Sequence, residues 1–94
     1  MELCFIGSGD AFGNGGRFNT CFLVTGMGCR FLIDCGASSL VALKRAAIDP
    51  ASIDAVVISH LHGDHFGGLP FLLLDKGLMA KRATPLLLCG PPGI

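Results

Sequence analysis

All three histidines of this 94-residue chain lie within six consecutive positions, together with one aspartate. They form the pattern His60-x-His62-x-Asp64-His65. Imidazole nitrogens and carboxylate oxygens are ligands that suit zinc, with manganese or iron as alternatives. The pattern therefore predicts a metal site rather than an incidental polar loop.

The spacing of the four residues indicates more than one cation. Side chains two residues apart at the end of a strand point to the same side, so His60 and His62 can bind one metal ion. Gly63 lets the chain turn, which directs Asp64 and His65 towards a second ion. Two cations about 3.5–4 Å apart can share a bridging hydroxide and stabilise both the attacking and the leaving oxygen of a hydrolysis. The spacing thus predicts a dinuclear hydrolytic centre.

The elements that must position this cluster can be predicted from residue patterning. A glycine turn at 26–28 separates two β-rich runs and predicts a hairpin. The run 54–59, which leads into the cluster, is apolar at successive positions and predicts a strand buried on both faces. The predicted strands are 2–6, 20–25, 29–34, 54–59 and 85–89.

Two helices are expected between these strands. The first is capped by Ser38 or Ser39 and ended by Pro50. Its apolar face comprises Leu40, Leu43, Ala47 and Ile48. The second begins at Pro70 and is capped by Gly77, and residues 78–83 either extend it or form a loop. The order β-β-β-α-β-α-β indicates an α/β protein with a mixed sheet.

Composition and charge narrow the class of protein. The chain is 51% hydrophobic and 15% charged, against about 25% charged residues in typical soluble domains. Either the sheet is covered on both faces or an apolar face awaits a partner. The net charge is zero, so no broad basic surface supports nucleic-acid binding. The sequence shows no signal peptide and no apolar run long enough to span a membrane.

The five cysteines are odd in number and form no C-x-x-C pair. We therefore expect reduced, mostly buried thiols and a cytoplasmic location.

Several stretches resemble one known family. The stretch SHLHGDHFGGLP at 59–70 resembles the metal-binding motif of the metallo-β-lactamase superfamily, and the whole chain is similar to its ribonuclease Z-like branch of phosphodiesterases. The supporting matches are FIGSGDAFG at 5–13, the segment 17–20, FLIDCG at 31–36 and LLLCGPPG at 86–93. The resemblance implies a single partial domain over residues 1–94, the N-terminal half of an αββα sandwich.

The resemblance also implies roles for particular residues. His60 and His62 would bind the first of two zinc ions, and Asp64 and His65 the second. Asp64 would also be catalytic, by orienting the nucleophilic water and taking part in proton transfer. Asp34 would lie near the metal ions and hold a ligand histidine by a hydrogen bond.

Two further features of the sequence bear on the site. Ser59 is interpreted as packing at the end of its strand. The glycines of Gly7-Ser8-Gly9 could cradle a phosphate, but position 12 of the G-x-G-x-x-G pattern is Phe12, which disfavours a nucleotide-binding module.

The chain lacks part of the ligand set that the resemblance requires. A complete site needs two more histidines and a bridging aspartate, whereas Asp75, on a predicted helix, is the one His or Asp after His65. The isolated chain is therefore expected to be inactive and to self-associate or bind a partner chain. Two copies could also pool their motifs around shared metal ions.

The leading hypothesis is a zinc-dependent hydrolase that acts on a phosphodiester. Cyclic nucleotides, other small phosphodiesters, lactones and thioesters all remain candidate substrates. The alternative hypothesis is a non-catalytic metal-binding or assembly fragment.

Overall fold

The computed structural model describes residues 1–79 and 85–94, which form one five-stranded sheet. The strands lie side by side in chain order, with the first three antiparallel and the last three parallel. The predicted mixed sheet is confirmed. The strands are β1 (Glu2–Gly7), β2 (Cys21–Gly26), β3 (Cys29–Ile33), β4 (Ala55–Val57) and β5 (Leu87–Cys89).

The predicted hairpin joins β2 and β3 through a two-residue loop. Gly26 pairs with Cys29, and the loop residues Met27 and Gly28 have φ angles of 52° and 74°. Two consecutive positive φ angles give the loop the twist that suits adjacent antiparallel strands. Glycine at the second position adopts this conformation without steric cost.

The first helix, α1 (Ser39–Arg45), is shorter than predicted and does not end at Pro50. Ala47 has a φ of 60°, and its N–H and that of Ile48 donate to the carbonyls of Lys44 and Leu43. These two bonds and the left-handed residue form a Schellman motif, which ends a helix without proline. Ala47 and Ile48 therefore lie beyond α1, which corrects the predicted apolar face.

A short helix that was not predicted, α2 (Gly63–Phe66), precedes the expected one, α3 (Leu69–Leu74). A π-helix, Asp75–Met79, continues from α3 and contains Gly77, so the prediction that Gly77 caps the helix is wrong. Within the predicted 78–83 segment, residues 80–83 lie outside the described residues. Among the described residues no helix is long and apolar enough to cross a membrane.

Helices α1 and α3 pack on one face of the sheet and form the core. Leu23, Leu32 and Val56 are register partners across three central strands, and all three are buried. Leu43 of α1 and Leu72 of α3 belong to the same cluster and are fully buried. This layer fixes the position of the strand ends that lead to the histidine cluster.

The opposite face of the sheet carries exposed apolar side chains. Leu3 and Phe5, on edge strand β1, are 58% and 68% exposed, and Leu87, on edge strand β5, is 62% exposed. Val57 of β4 is also exposed, so the prediction that this strand is buried on both faces is wrong. Of the two outcomes expected from the composition, an uncovered apolar face is the one observed.

The five cysteines are free, as expected, but most are not buried. Cys4 and Cys89 lie on edge strands and Cys29 lies beside the hairpin loop, and all three are exposed. Cys21 and Cys35 are buried, and burial raises their pKa values to about 11 and about 12. The protonated, enclosed thiols are therefore poor nucleophiles.

We predict that alkylation separates these two groups. Native protein treated with iodoacetamide near pH 8 should gain three adducts, at Cys4, Cys29 and Cys89, whereas denatured protein should gain five. Mass spectrometry with peptide mapping measures the adducts. Alkylation of Cys21 or Cys35 at the rate of the exposed thiols would contradict the described core.

Candidate metal centre

The histidine cluster follows β4 and leads into α2. His62 occupies the N-cap position of α2 with an extended backbone, and Gly63 is the first helical residue. The predicted turn at Gly63 is therefore the start of a helix. Asp64 lies in its first turn and His65 in its last, so these two side chains project from a helix while His60 and His62 project from extended chain.

The imidazole rings of His62 and His65 both lie close to the ring of His60. The ring centroid of His60 is 4.7 Å from that of His62 and 4.0 Å from that of His65. His60 and His62 are exposed, whereas His65 is partly buried. The structure thus brings all the predicted histidine ligands together at a surface that water and a substrate can reach.

Both ring nitrogens of His65 face carboxylates. Its Nδ1 lies 2.7 Å from Oδ2 of Asp34, and its Nε2 lies 3.2 Å from Oδ2 of Asp64. When Nδ1–H donates to Asp34, the neutral ring presents the lone pair of Nε2 to the Asp64 oxygen. Two donors about 2.0–2.2 Å from one tetrahedral cation would be separated by about 3.3–3.5 Å. The observed separation fits a shared zinc ion.

Asp34 is the buried carboxylate that orients this histidine. The residue is 3% exposed, and its two oxygens accept hydrogen bonds from the Ser59 N–H at 2.7 Å and the Ser59 hydroxyl at 2.8 Å, in addition to His65. Burial raises the pKa of the Asp34 carboxyl, but the hydrogen bonds from Ser59 and His65 outweigh burial and lower the pKa from its usual value. The group is therefore held as a carboxylate.

Ser59 has a role that the sequence analysis missed. Its hydroxyl proton is donated to Asp34, so its oxygen is left to accept a hydrogen bond from Nδ1 of His60, 3.0 Å away. In this arrangement His60, like His65, keeps the Nε2 lone pair for a metal ion. The available signal was the position of Ser59 directly before the first histidine.

The donor set on this chain is nevertheless incomplete. Within residues 1–79 and 85–94, no group of three or more His, Cys, Asp or Glu side chains has an arrangement that could hold a metal ion. Asp75 is not an additional ligand, because its carboxylate pairs with Lys44 Nζ at 2.7 Å. The Asp64–His65 pair has a separation typical of two ligands of one ion, and no third His, Cys, Asp or Glu side chain of the described residues completes a set with it.

The glycine loop after β1 is not a nucleotide cradle. Gly9 donates its N–H to the Phe18 carbonyl at 2.7 Å and forms a bridge with Asn19. The loop continues into a short 3-10 turn, Asn14–Gly16, and not into an α-helix whose N-terminus could bind a phosphate. The structure therefore gives the nucleotide-binding interpretation no support.

Known proteins are similar to this chain in sequence and in fold. The chain is 37% identical over 94 residues to ribonuclease Z of Agathobacter rectalis, which covers 100% of this chain and 31% of that protein. Its structure matches human tRNase Z, short form, with a TM-score of 0.88 and 33% identity, over 99% of this chain and 36% of that one. It also matches the metallo-β-lactamase fold protein YhfI from Bacillus subtilis, with a TM-score of 0.82 and 25% identity, over 97% of this chain and 37% of that one.

These matches define the class: the chain has the N-terminal portion of the metallo-β-lactamase fold and lies in the ribonuclease Z-like branch, a lineage of hydrolases. The family model described as anti-Pycsar protein Apyc1 matches residues 1–91, and the chain belongs to that family. It spans about a third of the length of the curated relatives that it matches.

We predict that Asp34→Asn lowers stability in a pH-dependent way. The substitution removes the charge that accepts bonds from Ser59 and His65, at a cost of roughly 1.5–3 kcal/mol for a charged hydrogen-bond partner. Because the native pKa of Asp34 lies below the value of about 3.9 expected when unfolded, its contribution is complete above pH ~4 and is lost as pH falls through the native pKa. Denaturant unfolding from pH 7 to 3 measures this.

The matched control is Asp49→Asn. The Asp49 carboxylate is exposed and accepts a capping hydrogen bond from the Ala51 N–H, and the side-chain oxygen of an asparagine can accept the same bond. The wild-type and Asp34→Asn stabilities should converge at the acid end. A constant difference at every pH would contradict the role of the charge.

Proposed function

We propose that this chain contributes the metal-binding half of a zinc-dependent phosphodiester hydrolase. The observation that carries the proposal is the Asp64–His65 pair. These two side chains present donor atoms 3.2 Å apart, and the buried Asp34 fixes the histidine tautomer that leaves Nε2 available. His60 and His62 stand beside this pair.

The types of the donor atoms suit zinc, and this chain offers two donors for each of two proposed ions. His60 and His62 would hold one ion through imidazole nitrogen, and Asp64 and His65 would hold the other. When bound, such ions supply a water of lowered pKa and stabilise negative charge on a phosphoryl group. Nitrogen ligands with a carboxylate favour zinc, and manganese or iron are the alternatives.

The protein side chains have separate tasks in this proposal. Asp34 holds His65 in one orientation, and Ser59 links Asp34 to His60 through its hydroxyl. The Asp64 side chain is 18% exposed at the surface of α2, where it can orient a water and accept its proton. Two of the proposed ligands are thus each anchored by a polar side chain, His60 by Ser59 and His65 by Asp34.

A phosphodiester is the substrate class that the relatives favour. Ribonuclease Z proteins act on RNA by their name, and the chain is 37% identical to one of them over its full length. The net charge of zero gives this chain no broad basic surface for a polynucleotide. We therefore propose a small phosphodiester as the substrate of the site. The free thiols, three of them exposed, suit the reducing cytoplasm.

A non-catalytic assembly role is the second candidate. The exposed face with Leu3, Phe5 and Leu87 favours it, because an uncovered apolar sheet face drives association. A second copy or another chain on this face would cover the sheet. Such an assembly could also bring the missing ligands, so the oligomeric mass and the metal content must be measured together.

We predict that the histidine and aspartate ligands control metal binding and hydrolysis together. His62→Ala or Asp64→Ala should weaken zinc binding by about 10- to 100-fold or more, because each substitution removes a proposed direct ligand of a metal ion. Competition with a chromogenic chelator measures affinity. Turnover of bis(p-nitrophenyl) phosphate is measured on the protein alone and on any partnered assembly that it forms.

The matched control is Glu2→Ala, which removes an exposed carboxylate on β1. It should leave zinc affinity unchanged. Tight zinc binding without turnover in any assembly would favour the non-catalytic role. Wild-type zinc affinity in both ligand variants would refute the site.

A further inference from the structure

The proposed ligands Asp64 and His65 lie on a helix that is too short to be stable by itself. Helix α2 has four residues, fewer than the ~12–15 that an isolated helix needs to be even marginally stable. The His62 side chain makes no capping bond at its N-terminus. The orientation of the two ligands must therefore be set by contacts with other parts of the chain.

Those contacts come from three consecutive residues that follow β3. Asp34 accepts the hydrogen bond of His65 Nδ1, as described above. The Cys35 N–H donates to the His65 carbonyl at 2.7 Å, and the Cys35 carbonyl accepts from the Gly68 N–H at 2.9 Å. The segment 34–36 thus binds α2 and the start of α3 through both side chain and backbone.

Gly36 packs directly against the backbone of the other proposed ligand, Asp64, because glycine has no side chain. A Cβ atom on Gly36 would lie 2.9 Å from the carbonyl carbon of Asp64 and would overlap both its carbonyl oxygen and the Cβ of Asn19. Gly36 is buried and is not among the glycines with positive φ. The requirement for glycine is therefore one of space and not of backbone conformation.

Asn19, which lies on the side of Gly36 away from Asp64, cannot easily move. Asn19 is fixed to Ser38 by two hydrogen bonds, from the Asn19 N–H to the Ser38 hydroxyl at 2.8 Å and from the Ser38 N–H to the Asn19 side-chain oxygen at 3.2 Å. An added methyl group at position 36 would consequently push on the backbone of Asp64. Asp64 would then move relative to His60 and His62, which lie on the extended chain just before α2.

We propose that Gly36 is a positioning residue that sets the distance of Asp64 from the histidines by allowing backbone contact. The inference rests on the proposed metal site. It predicts that Gly36→Ala weakens metal binding by about 10- to 100-fold, the range typical of residues that orient metal ligands. The coordination geometry should change as well as the affinity.

The test uses Co²⁺, whose visible absorption reports ligand geometry without any need for turnover. Wild type and Gly36→Ala are titrated with Co²⁺ in the presence of a competing chelator, well below their unfolding temperatures. Leu43→Ala, which creates a cavity in the buried core, controls for loss of stability alone. Gly77→Ala, at a position with nothing within 4 Å of the added Cβ, controls for the glycine substitution itself.

The expected result is weaker binding and an altered spectrum in Gly36→Ala, with the wild-type spectrum and affinity in both controls. In the double variant Asn19→Gly/Gly36→Ala, the methyl group at position 36 gains space on the side away from Asp64. The double variant should therefore bind Co²⁺ more tightly than Gly36→Ala does. The single variant Asn19→Gly is its reference, because it carries the same change at position 19 without the methyl group. The double variant also serves as the test if Gly36→Ala alone does not fold.

Wild-type affinity and spectrum in Gly36→Ala, with loss of binding in His62→Ala, would overturn the positioning role and leave the metal site intact. Equal losses in Leu43→Ala and Gly36→Ala would overturn it too, because stability alone would then explain them. Absence of Co²⁺ binding by the wild type would overturn the metal site and this inference with it.

Discussion

The parallel pairing of β3 with β4 is the constraint on which the site depends. Ile33 and Val57 are register partners at the ends of these strands, so the residues that follow both strands emerge at the same edge of the sheet. Asp34 then leaves β3 with a φ of 63°, and its N–H still donates to the Val57 carbonyl at 2.8 Å. The buried carboxylate is thereby placed beside Ser59 and, through α2, beside His65.

This arrangement joins a buried, hydrogen-bonded support to solvent-exposed histidines. Asp34 is buried and fully engaged, whereas His60 and His62 face water. Polar groups are costly to bury unless they are hydrogen-bonded, and here each bond to Asp34 also orients a residue of the cluster. The stability of the strand ends and the geometry of the cluster consequently depend on the same contacts.

The two faces of the sheet have different consequences for function. The face covered by α1 and α3 holds the strand ends in place, and the opposite face exposes Leu3, Phe5 and Leu87. The ribonuclease Z relatives that this chain matches are about three times as long. Among the described residues, the candidate donors are too few for a full metal site. The described residues therefore combine an uncovered apolar sheet face with fewer candidate donors than a metal site holds.

The sequence by itself determined the clustering of the three histidines, the hairpin and the existence of five strands, because these depend on local spacing, turn chemistry and runs of apolar residues. It did not determine the Schellman end of α1, the formation of α2, the exposure of Val57 or the role of Ser59. The Schellman end of α1 is local, but it depends on backbone geometry that residue patterning does not show. The exposure of Val57 and the role of Ser59 depend on groups distant in sequence, namely the layer that covers a sheet face and the buried carboxylate of Asp34. The need for glycine at position 36 likewise follows only from the tertiary structure, since the backbone of Asp64 and the side chain of Asn19 close on it from two distant segments.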